Sequence, residues 1–496
     1  MDVSQTDLGG IAEETLDPDN WEEVRTLSHR IVDDAIDYLR DVRERPVWQD
    51  MPAEVKASLA EPLPRSPEKL ANVYGKVADR VMPYPMGNVH PRFWCWYMGS
   101  SHFTGALGDF LAAIQGSNLG GGNHAAALVD QQVVDWCKEM MGFPASASGT
   151  LVSGGTMANL IALTVARNVK AGIDVRELGV AAIGRQLCFY GSDQAHSCHR
   201  KAVEALGLGN KALRRIPTDM DLRMDLCALR AAIAEDRAAG RQPACIIGSA
   251  GTVNTGSIDD LQALADIAAD EGLWFHVDGC IGALIAVAPA NAHRVTGIER
   301  AHSIALDPHK WLHAPFEAGC VLIRDAQAHR AAFAVTPEYL ETTSRGLASA
   351  PWLYDYGLQT SRGFRALKVW MSIKEHGIDK FGRLIDQNIA QAHRLGRMIQ
   401  AESSLDLLVP PTINIVCYRY RRDGMSDLDI RSINMEIMLR LQEEGIAALS
   451  DTTVRGQHCL RVAICNHRTR HDDLQVLVRE TVRLGNELAK GLSTEC

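Results

Sequence analysis

The sequence predicts an α/β protein: a mainly parallel sheet flanked by helices, with a helical segment ahead of it and a small α+β domain behind it. Two patterns lead there. Residues 185–191 (RQLCFYG), 244–251 (ACIIGSAG), 273–279 (LWFHVDG), 303–307 (SIALD) and 319–325 (GCVLIRD) are short and nearly continuously apolar, as strands buried on both faces must be. Between several of them lie helix-periodic stretches such as DDLQALADIAADEG, the alternation that builds a parallel sheet.

The flanking elements follow from period and punctuation. NWEEVRTLSHRIVDDAIDYLRDV sets Val24, Leu27, Ile31, Ala35 and Leu39 near helical spacing on an otherwise acidic helix, and EPLPRSP at 61–67 breaks the helical segment. That stripe needs a partner, either the main body or a second copy of the chain. Past Arg362, FRALKVWMSIKEHG and IDQNIAQAHRLGRMIQAE read as long helices, the second with Ile385, Ile389, Ala392 and Ile399 on one face. INIVCYRYR and CLRVAIC read as strands, and a closing helix starts near Asp472. The domains expected are therefore an N-terminal helical segment (1–85), a large domain (86–375) and a small C-terminal domain (376–496).

Composition removes several function classes. With 496 residues, 46% hydrophobic and 23% charged, the chain suits a globular protein that buries a large core. A net charge of −10 with no basic stripe argues against nucleic acid and anionic membranes as partners. No apolar run approaches the roughly 18 residues of a membrane span, and the acidic N-terminus lacks the order of a secretory signal. Twelve scattered cysteines without a C-x-x-C pair read as reduced thiols, which points to the cytoplasm.

Ligands of parallel α/β sheets collect at the carboxyl ends of strands. Here the strand ends carry Asp278, Asp307 through Lys310, His196, and the hydroxyls from Ser249 to Thr252. Upstream, LVSGGTMANL (151–160) feeds a glycine turn into a helix N-terminus, a ready site for an anion. An anion cradle, a carboxylate, an amine and an imidazole are what pyridoxal phosphate requires: the amine for its aldehyde, the carboxylate for its ring nitrogen, and a ring to stack on its face.

HVDGCIGALIAV followed by DPHKW, with SGGTMANL, SDQAHS, SAGTVNTGSIDDL, TPEYL, RGFRALKVW and LRVAIC in order, resembles the group II pyridoxal-phosphate amino-acid decarboxylases, the family of aromatic-amino-acid, glutamate and histidine decarboxylases. The likeness runs from about residue 85 to the C-terminus. It implies the aspartate-aminotransferase-like fold (fold type I), pyridoxal 5'-phosphate as cofactor, and decarboxylation of an L-amino acid, an aromatic one favoured, to its amine and carbon dioxide. Carried onto this chain, it implies that Lys310 tethers the cofactor, Asp278 pairs with the ring nitrogen, and His196 stacks on the ring. The same resemblance implies that Gly155 and Thr156 hold the phosphate, helped by His309, with Thr252 also at the cofactor. It further implies that Arg461 lies near the substrate and that Tyr97 occupies a pocket position.

The family's proton donor is a loop tyrosine, expected between the TPEYL and RGFRALK landmarks, where Tyr354 and Tyr356 both qualify. Three departures from the family pattern bear on substrate identity: Asp307 in place of the usual asparagine, Val253 in place of a second threonine, and HVDGCIG in place of HVDAAYAG. Phe93, Trp94, Trp96 and Tyr97, in HPRFWCWYMGSS, are candidates for either core or substrate wall. His309 and His313 stand four apart, but no carboxylate completes a metal set, so no metal is expected. The competing activities are a carbon–carbon lyase resembling sphingosine-phosphate lyase and a decarboxylating aldehyde synthase. The resemblance further implies a homodimer with the active site at the interface.

Overall fold

The computed structural model describes residues 14–335 and 343–492; the TPEYL landmark at 336–340 lies outside the described residues. The chain forms two compact units, one of residues up to Glu44 with Met51–Pro83, the other of Arg45–Asp50 with the chain from Tyr84 onward. The first unit is helical, with helices Trp21–Arg40, Ala53–Ser58 and Leu70–Arg80. Asn20 opens the first by accepting the N–H groups of Glu22 and Glu23, the standard satisfaction of free helix donors. That helix buries none of its residues.

The second unit contains a seven-stranded sheet in the order β1-β7-β6-β5-β4-β2-β3. Its strands are β1 (Ser148–Val152), β2 (Leu187–Ser192), β3 (Leu213–Ile216), β4 (Gln242–Ser249), β5 (Trp274–Asp278), β6 (Ser303–Leu306) and β7 (Gly319–Ile323). β2 to β6 are mutually parallel, whereas β7 pairs antiparallel with both β6 and β1. β7 alone is reversed, so the carboxyl ends of the other six gather on one rim. The five apolar runs all became strands. β1 and β3 were not legible in the sequence: β1 opens with Ser-Gly, and the edge strand β3 is only Leu-Arg-Arg-Ile.

Alternation divides the sheet residues between two cores. Leu187, Phe189, Cys245, Ile247, Trp274, Ala305 and Val321 pack on one face with helix Gly155–Lys170, while Cys188, Tyr190, Ile246, Phe275, Val277, Ile304 and Leu306 pack on the other. The period-2 rule then puts His276 and Asp278 on the face of Trp274, and Ser303 and Asp307 on the face of Ala305. These are one and the same face.

Four buried polar side chains on that face form a continuous chain. Trp274 Nε1 donates to Ser303 Oγ (2.8 Å), Ser303 Oγ meets His276 Nδ1 (2.9 Å), His276 Nε2 meets Asn159 Oδ1 (2.6 Å), and Asn159 Nδ2 donates to the Gly155 carbonyl (2.8 Å). An amide oxygen only accepts, so the His276 proton sits on Nε2 and the serine hydroxyl donates to Nδ1. The sheet thereby fixes the glycine turn ahead of helix Gly155–Lys170.

A four-stranded antiparallel sheet, order β10-β11-β9-β8, follows. It comprises β8 (Leu405–Val409), β9 (Ile415–Tyr420), β10 (Ser450–Val454) and β11 (Gln457–Ala463), packed with helices Asp427–Glu443 and His471–Leu492. Helix Ile378–Gln400 carries the expected apolar face, with Ile385 and Ile389 in the core of the large sheet and Ala392 and Ile399 in that of the small one.

Burial lowers His276 to about 3, the neighbouring His199 adding to the effect, and burial likewise lowers His102, His329 and His467 to about 4 each. Each folded value lies below the unfolded value near 6.5, so the unfolded chain binds more protons as pH falls. The stability these neutral rings contribute is present above about pH 6.5 and is lost as pH falls toward 4. Urea unfolding across that window should show His276→Gln with a slope shallower by about 1 kcal/mol per pH unit than the parent; an unchanged slope would mean that His276 is not held neutral.

Candidate active site

A cavity of about 450 Å³ opens at the rim where the parallel strands end. Eight of the residues singled out from the sequence line it: Tyr97, Gly155, Thr156, His196, Thr252, Asp278, His309 and Lys310. The turn after β1, the loop after β2, and the ends of β4, β5 and β6 deliver seven of them, and the segment ahead of helix Phe103–Gln115 delivers Tyr97.

One end of the cavity is built for an anion. Helix Gly155–Lys170 begins at Gly154, and no side chain caps it, so its first N–H groups are offered to a ligand. The backbone here lies hard against its neighbours: a Cβ on Gly155 would sit 2.4 Å from Cys280 Sγ, and one on Gly319 would sit 2.5 Å from Gly154 Cα. Only glycine fits at either place. His309 Nδ1 accepts the Ala318 N–H (3.2 Å), which leaves the proton of the neutral ring on Nε2, and burial holds its basicity below the usual histidine value. Its Cε1 lies 3.3 Å from where a Gly154 Cβ would be, so the imidazole borders the same turn.

Asp278, at the end of β5, supplies a second, separate electrostatic centre. His199 Nε2 donates to its Oδ2 (2.9 Å) and the Cys280 N–H to its Oδ1 (3.2 Å). Burial opposes its charge, yet the His199 hydrogen bond and potential, with the Cys280 side chain, hold the carboxyl well below the usual carboxylate range. His199 is fully buried and was missed in the sequence, although it stands three residues after His196 in the same SDQAHSCHR run. His196 itself is exposed at the cavity edge, its Nδ1 accepting the Cys198 N–H (3.2 Å).

Lys310 sits in the short turn of helix Pro308–Trp311, its Nζ 2.9 Å from Asp307 Oδ2 and 5.8 Å from the centre of the Tyr97 ring. Burial opposes the ammonium, but Asp307 beside it, with Cys280 and Asp278 beyond, raises its pKa above the ordinary lysine value. An ionised carboxylate, a paired amine and an uncapped helix terminus thus border one cavity, and pyridoxal phosphate fits that set: ring nitrogen, aldehyde and phosphate each find a complementary group.

The aromatic cluster splits. Trp96 and Tyr97 line the cavity, the Tyr97 hydroxyl accepting from Asn414 Nδ2 (2.9 Å), whereas Phe93 and Trp94 are buried in packing clusters. Val253 also lines the cavity where the family's threonine would stand.

Three expected site residues lie elsewhere. Arg461, on β11, is buried and spends its donors mainly on backbone carbonyls: Nε on Val253 (2.9 Å) and Asn254 (3.1 Å), Nη1 on Trp96 and the Ser450 hydroxyl (3.3 Å), and Nη2 on Val253. It holds the walls of the cavity rather than facing into it. Tyr354 is buried against Trp352, ring centroids 5.7 Å apart, and Tyr356 packs edge-on against His329 at 5.1 Å; neither lines the cavity of its own chain. His313 turns from His309 to Ser100, its Nδ1 3.1 Å from the hydroxyl. Cys198, His199 and Asp278 bring ligand-type atoms within 4.8 Å of one another, but the His199–Asp278 hydrogen bond already occupies two of the three.

Residues 52–421 match the family profile described as the pyridoxal-dependent decarboxylase conserved domain. The chain is 33% identical over 480 residues to the aromatic-L-amino-acid decarboxylase of Bacillus atrophaeus, covering 94% of this chain and 96% of that protein. The fold superposes on Oryza sativa TDC with PLP and tryptamine at a TM-score of 0.88 and 25% identity, over 96% of this chain and 100% of that one. On Catharanthus roseus tryptophan decarboxylase in complex with L-tryptophan the TM-score is 0.85 at 26% identity, over 95% and 100%. With the mainly parallel sheet of fold type I and a site complementary to pyridoxal phosphate at its rim, the chain belongs to the pyridoxal-dependent decarboxylase family and is a pyridoxal-phosphate-dependent carboxy-lyase.

Proposed function

We propose that this protein removes the carboxylate of an aromatic L-amino acid, with Lys310 as the cofactor's covalent anchor and Asp278 as the partner of its ring nitrogen. The observation that carries the reading is the separation of roles within one cavity: an amine at the end of β6, a carboxylate kept ionised at the end of β5, and an uncapped helix N-terminus with Gly155 and Thr156 at the phosphate end. When bound, pyridoxal phosphate condenses with amines and, with its ring nitrogen protonated, withdraws electrons from the bonds to the amino acid's α-carbon.

The chain's own residues make that chemistry selective. Asp278, held ionised by its His199 partner, would keep a proton on the ring nitrogen of a bound cofactor. His309, neutral with its proton on Nε2, adds a donor to the phosphate end. His196, at the cavity edge, would lie against the face of a bound cofactor ring, and Thr252, packed within its turn by the Thr255 hydroxyl at 3.2 Å and the Ser257 N–H at 3.2 Å, would border another side. Trp96, Tyr97, Val253 and Ile281 give the remaining wall an apolar and aromatic character, which favours an aromatic side chain over an acidic one. That preference agrees with the aromatic-amino-acid decarboxylase name of the Bacillus relative and the ligands of the two plant structures. Tyr354 and Tyr356 have no place in this reading of the chain's own cavity, and Arg461 enters it as a positioning residue.

The assembly proposed is a homodimer. Helix Trp21–Arg40 has no buried residue, and Leu70, Val73 and Val77 are exposed along the third helix with Val81 just past its end, an apolar surface that a second copy would cover. No helix among the described residues is long and apolar enough to cross a membrane, and eleven described cysteines are unpaired; a cytoplasmic location suits both.

Incubating the cofactor-loaded protein with L-tryptophan, L-tyrosine, L-phenylalanine or L-glutamate should give amine and carbon dioxide from an aromatic substrate by mass spectrometry. Aldehyde with ammonia, or turnover of glutamate alone, would refute this reading. Borohydride reduction should fix the cofactor to the wild type and not to Lys310→Ala. Asp278→Asn should keep its fold and lose about 10²–10³-fold in turnover, the kinetic equivalent of breaking a buried charge pair. Val73→Glu with Val77→Glu should shift the protein from dimer to monomer in analytical ultracentrifugation; an unchanged mass would exclude this surface as the interface.

A further inference from the structure

A second cavity, of about 420 Å³, is nearly the size of the first and draws its wall from both sheets. The large sheet supplies the segment ahead of helix Leu226–Ala238, the turn after β4 and the short helix Ala292–Val295; the small sheet supplies the β8–β9 connection and the β10–β11 hairpin. The charges on this wall do not cancel. Arg223 is matched, its Nη2 3.0 Å from Asp219 Oδ2 and 3.1 Å from Asp221 Oδ2. Arg294 donates from Nε to Asn291 Oδ1 (2.8 Å), and Arg455 donates from Nη2 to the Met220 carbonyl, yet neither meets a carboxylate among the described residues. Two hydroxyls on the wall are already engaged, Ser257 donating to the Asp221 carbonyl (2.8 Å) and Thr255 lying 3.2 Å from Thr252 Oγ1. Leu222, Ile258, Pro410 and Pro411 add apolar surface to the same wall.

The backbone marks the same place. Five non-glycine residues have positive φ among the described residues, and two of them, Leu222 (59°) and Arg455 (50°), line this cavity. The β10–β11 hairpin turns on Arg455 and Gly456, both at positive φ, a connection whose first position ordinarily selects asparagine, aspartate or glycine. Arginine has no backbone advantage there; what the position gains is a guanidinium at the cavity wall. We propose that this cavity is a second ligand site, for a small organic oxyanion: a carboxylate or phosphate held by Arg294 and Arg455, on an apolar body lodged against Leu222, Ile258 and the two prolines. Guanidinium groups suit either head group, because their planar forks present paired N–H donors to two oxygens at once. The site backs on the cofactor cavity through one turn. Thr252 lines the first cavity, Thr255 and Ser257 line the second, and the Thr252 N–H donates to the Ser257 carbonyl (2.8 Å) between them.

The test uses the full-length, cofactor-loaded protein, reduced with borohydride and freed of excess cofactor so that the first cavity's anion site is filled. The probe is phenyl phosphate, with inorganic phosphate and benzyl alcohol as its separate halves, titrated by calorimetry. Phenyl phosphate should bind saturably, and each half about tenfold or more weakly. Arg294→Gln and Arg455→Gln should each weaken phenyl phosphate by about tenfold, the effect of losing a hydrogen bond to a charged group. In the parent protein, with no variant needed, phenyl phosphate should shield Arg294 and Arg455 from modification by butanedione, read by peptide mass spectrometry, and leave the exposed Arg200 reactive. Absence of saturable binding overturns the proposal, and so does binding that leaves Arg294 and Arg455 unshielded, which places the ligand elsewhere. Equal affinity for phenyl phosphate and inorganic phosphate overturns the ligand class, and an unchanged affinity in either folded variant overturns the assignment of its arginine.

Discussion

Asp278 and Asp307 lie on the same buried face of the large sheet, and a carboxylate buried there needs donors that the fold brings to it. Removing one partner from a buried charge pair costs about 3–5 kcal/mol, so the arrangement of donors constrains everything around it. For Asp278 the donors are the His199 ring and the Cys280 backbone, which fixes the start of helix Cys198–Ala205 against the end of β5. For Asp307 the donor is Lys310, three residues on, which fixes the turn after β6. The two strands are hydrogen-bonded neighbours, so the carboxylate and amine centres share one rim while each remains paired within its own surroundings.

The rest of the unit keeps that rim in place. Asn159 ties the glycine turn to His276 and Ser303 beneath it, using only groups whose donors and acceptors match. From the other side, Arg461 on the small sheet binds the carbonyls of Val253, Asn254 and Trp96. Its planar fork of donors joins three segments that sequence separates by more than 150 positions, and no shorter or unbranched cation could replace it geometrically. The long helix Ile378–Gln400 does the corresponding work with apolar contacts, one half packing on each core.

Much of this was legible before the structure. The five apolar runs became strands because segments buried on both faces cannot afford polar residues, and the pattern records that directly. Lys310, Asp278, Gly155 and Thr156 were readable because each stands where a strand ends or a helix begins. β3 escaped because an edge strand with two arginines carries no such pattern, and β10 because its middle residues are exposed and polar. His199 escaped because a histidine on a helix announces nothing about which carboxylate it meets. The family resemblance placed Arg461, Tyr354 and Tyr356 at the site; within this chain Arg461 binds backbone carbonyls around the cavity and the two tyrosines pack on other rings, contacts that no spacing in the chain reveals.

The sequence by itself determined the fold class and the family, because alternation, strand-end chemistry and ordered motifs are local properties of the chain. It also determined the parts of the site: an amine, two carboxylates, an imidazole and a glycine turn. Tertiary structure alone decided which groups meet. It reversed β7 so that six strand ends share a rim, gave Asp278 to His199 and Asp307 to Lys310, placed Trp96 and Tyr97 in the cavity, and left Phe93 and Trp94 in the packing. The physical reason is that a charge or ring acquires its function from neighbours a few ångströms away, and those neighbours come from segments far apart along the chain.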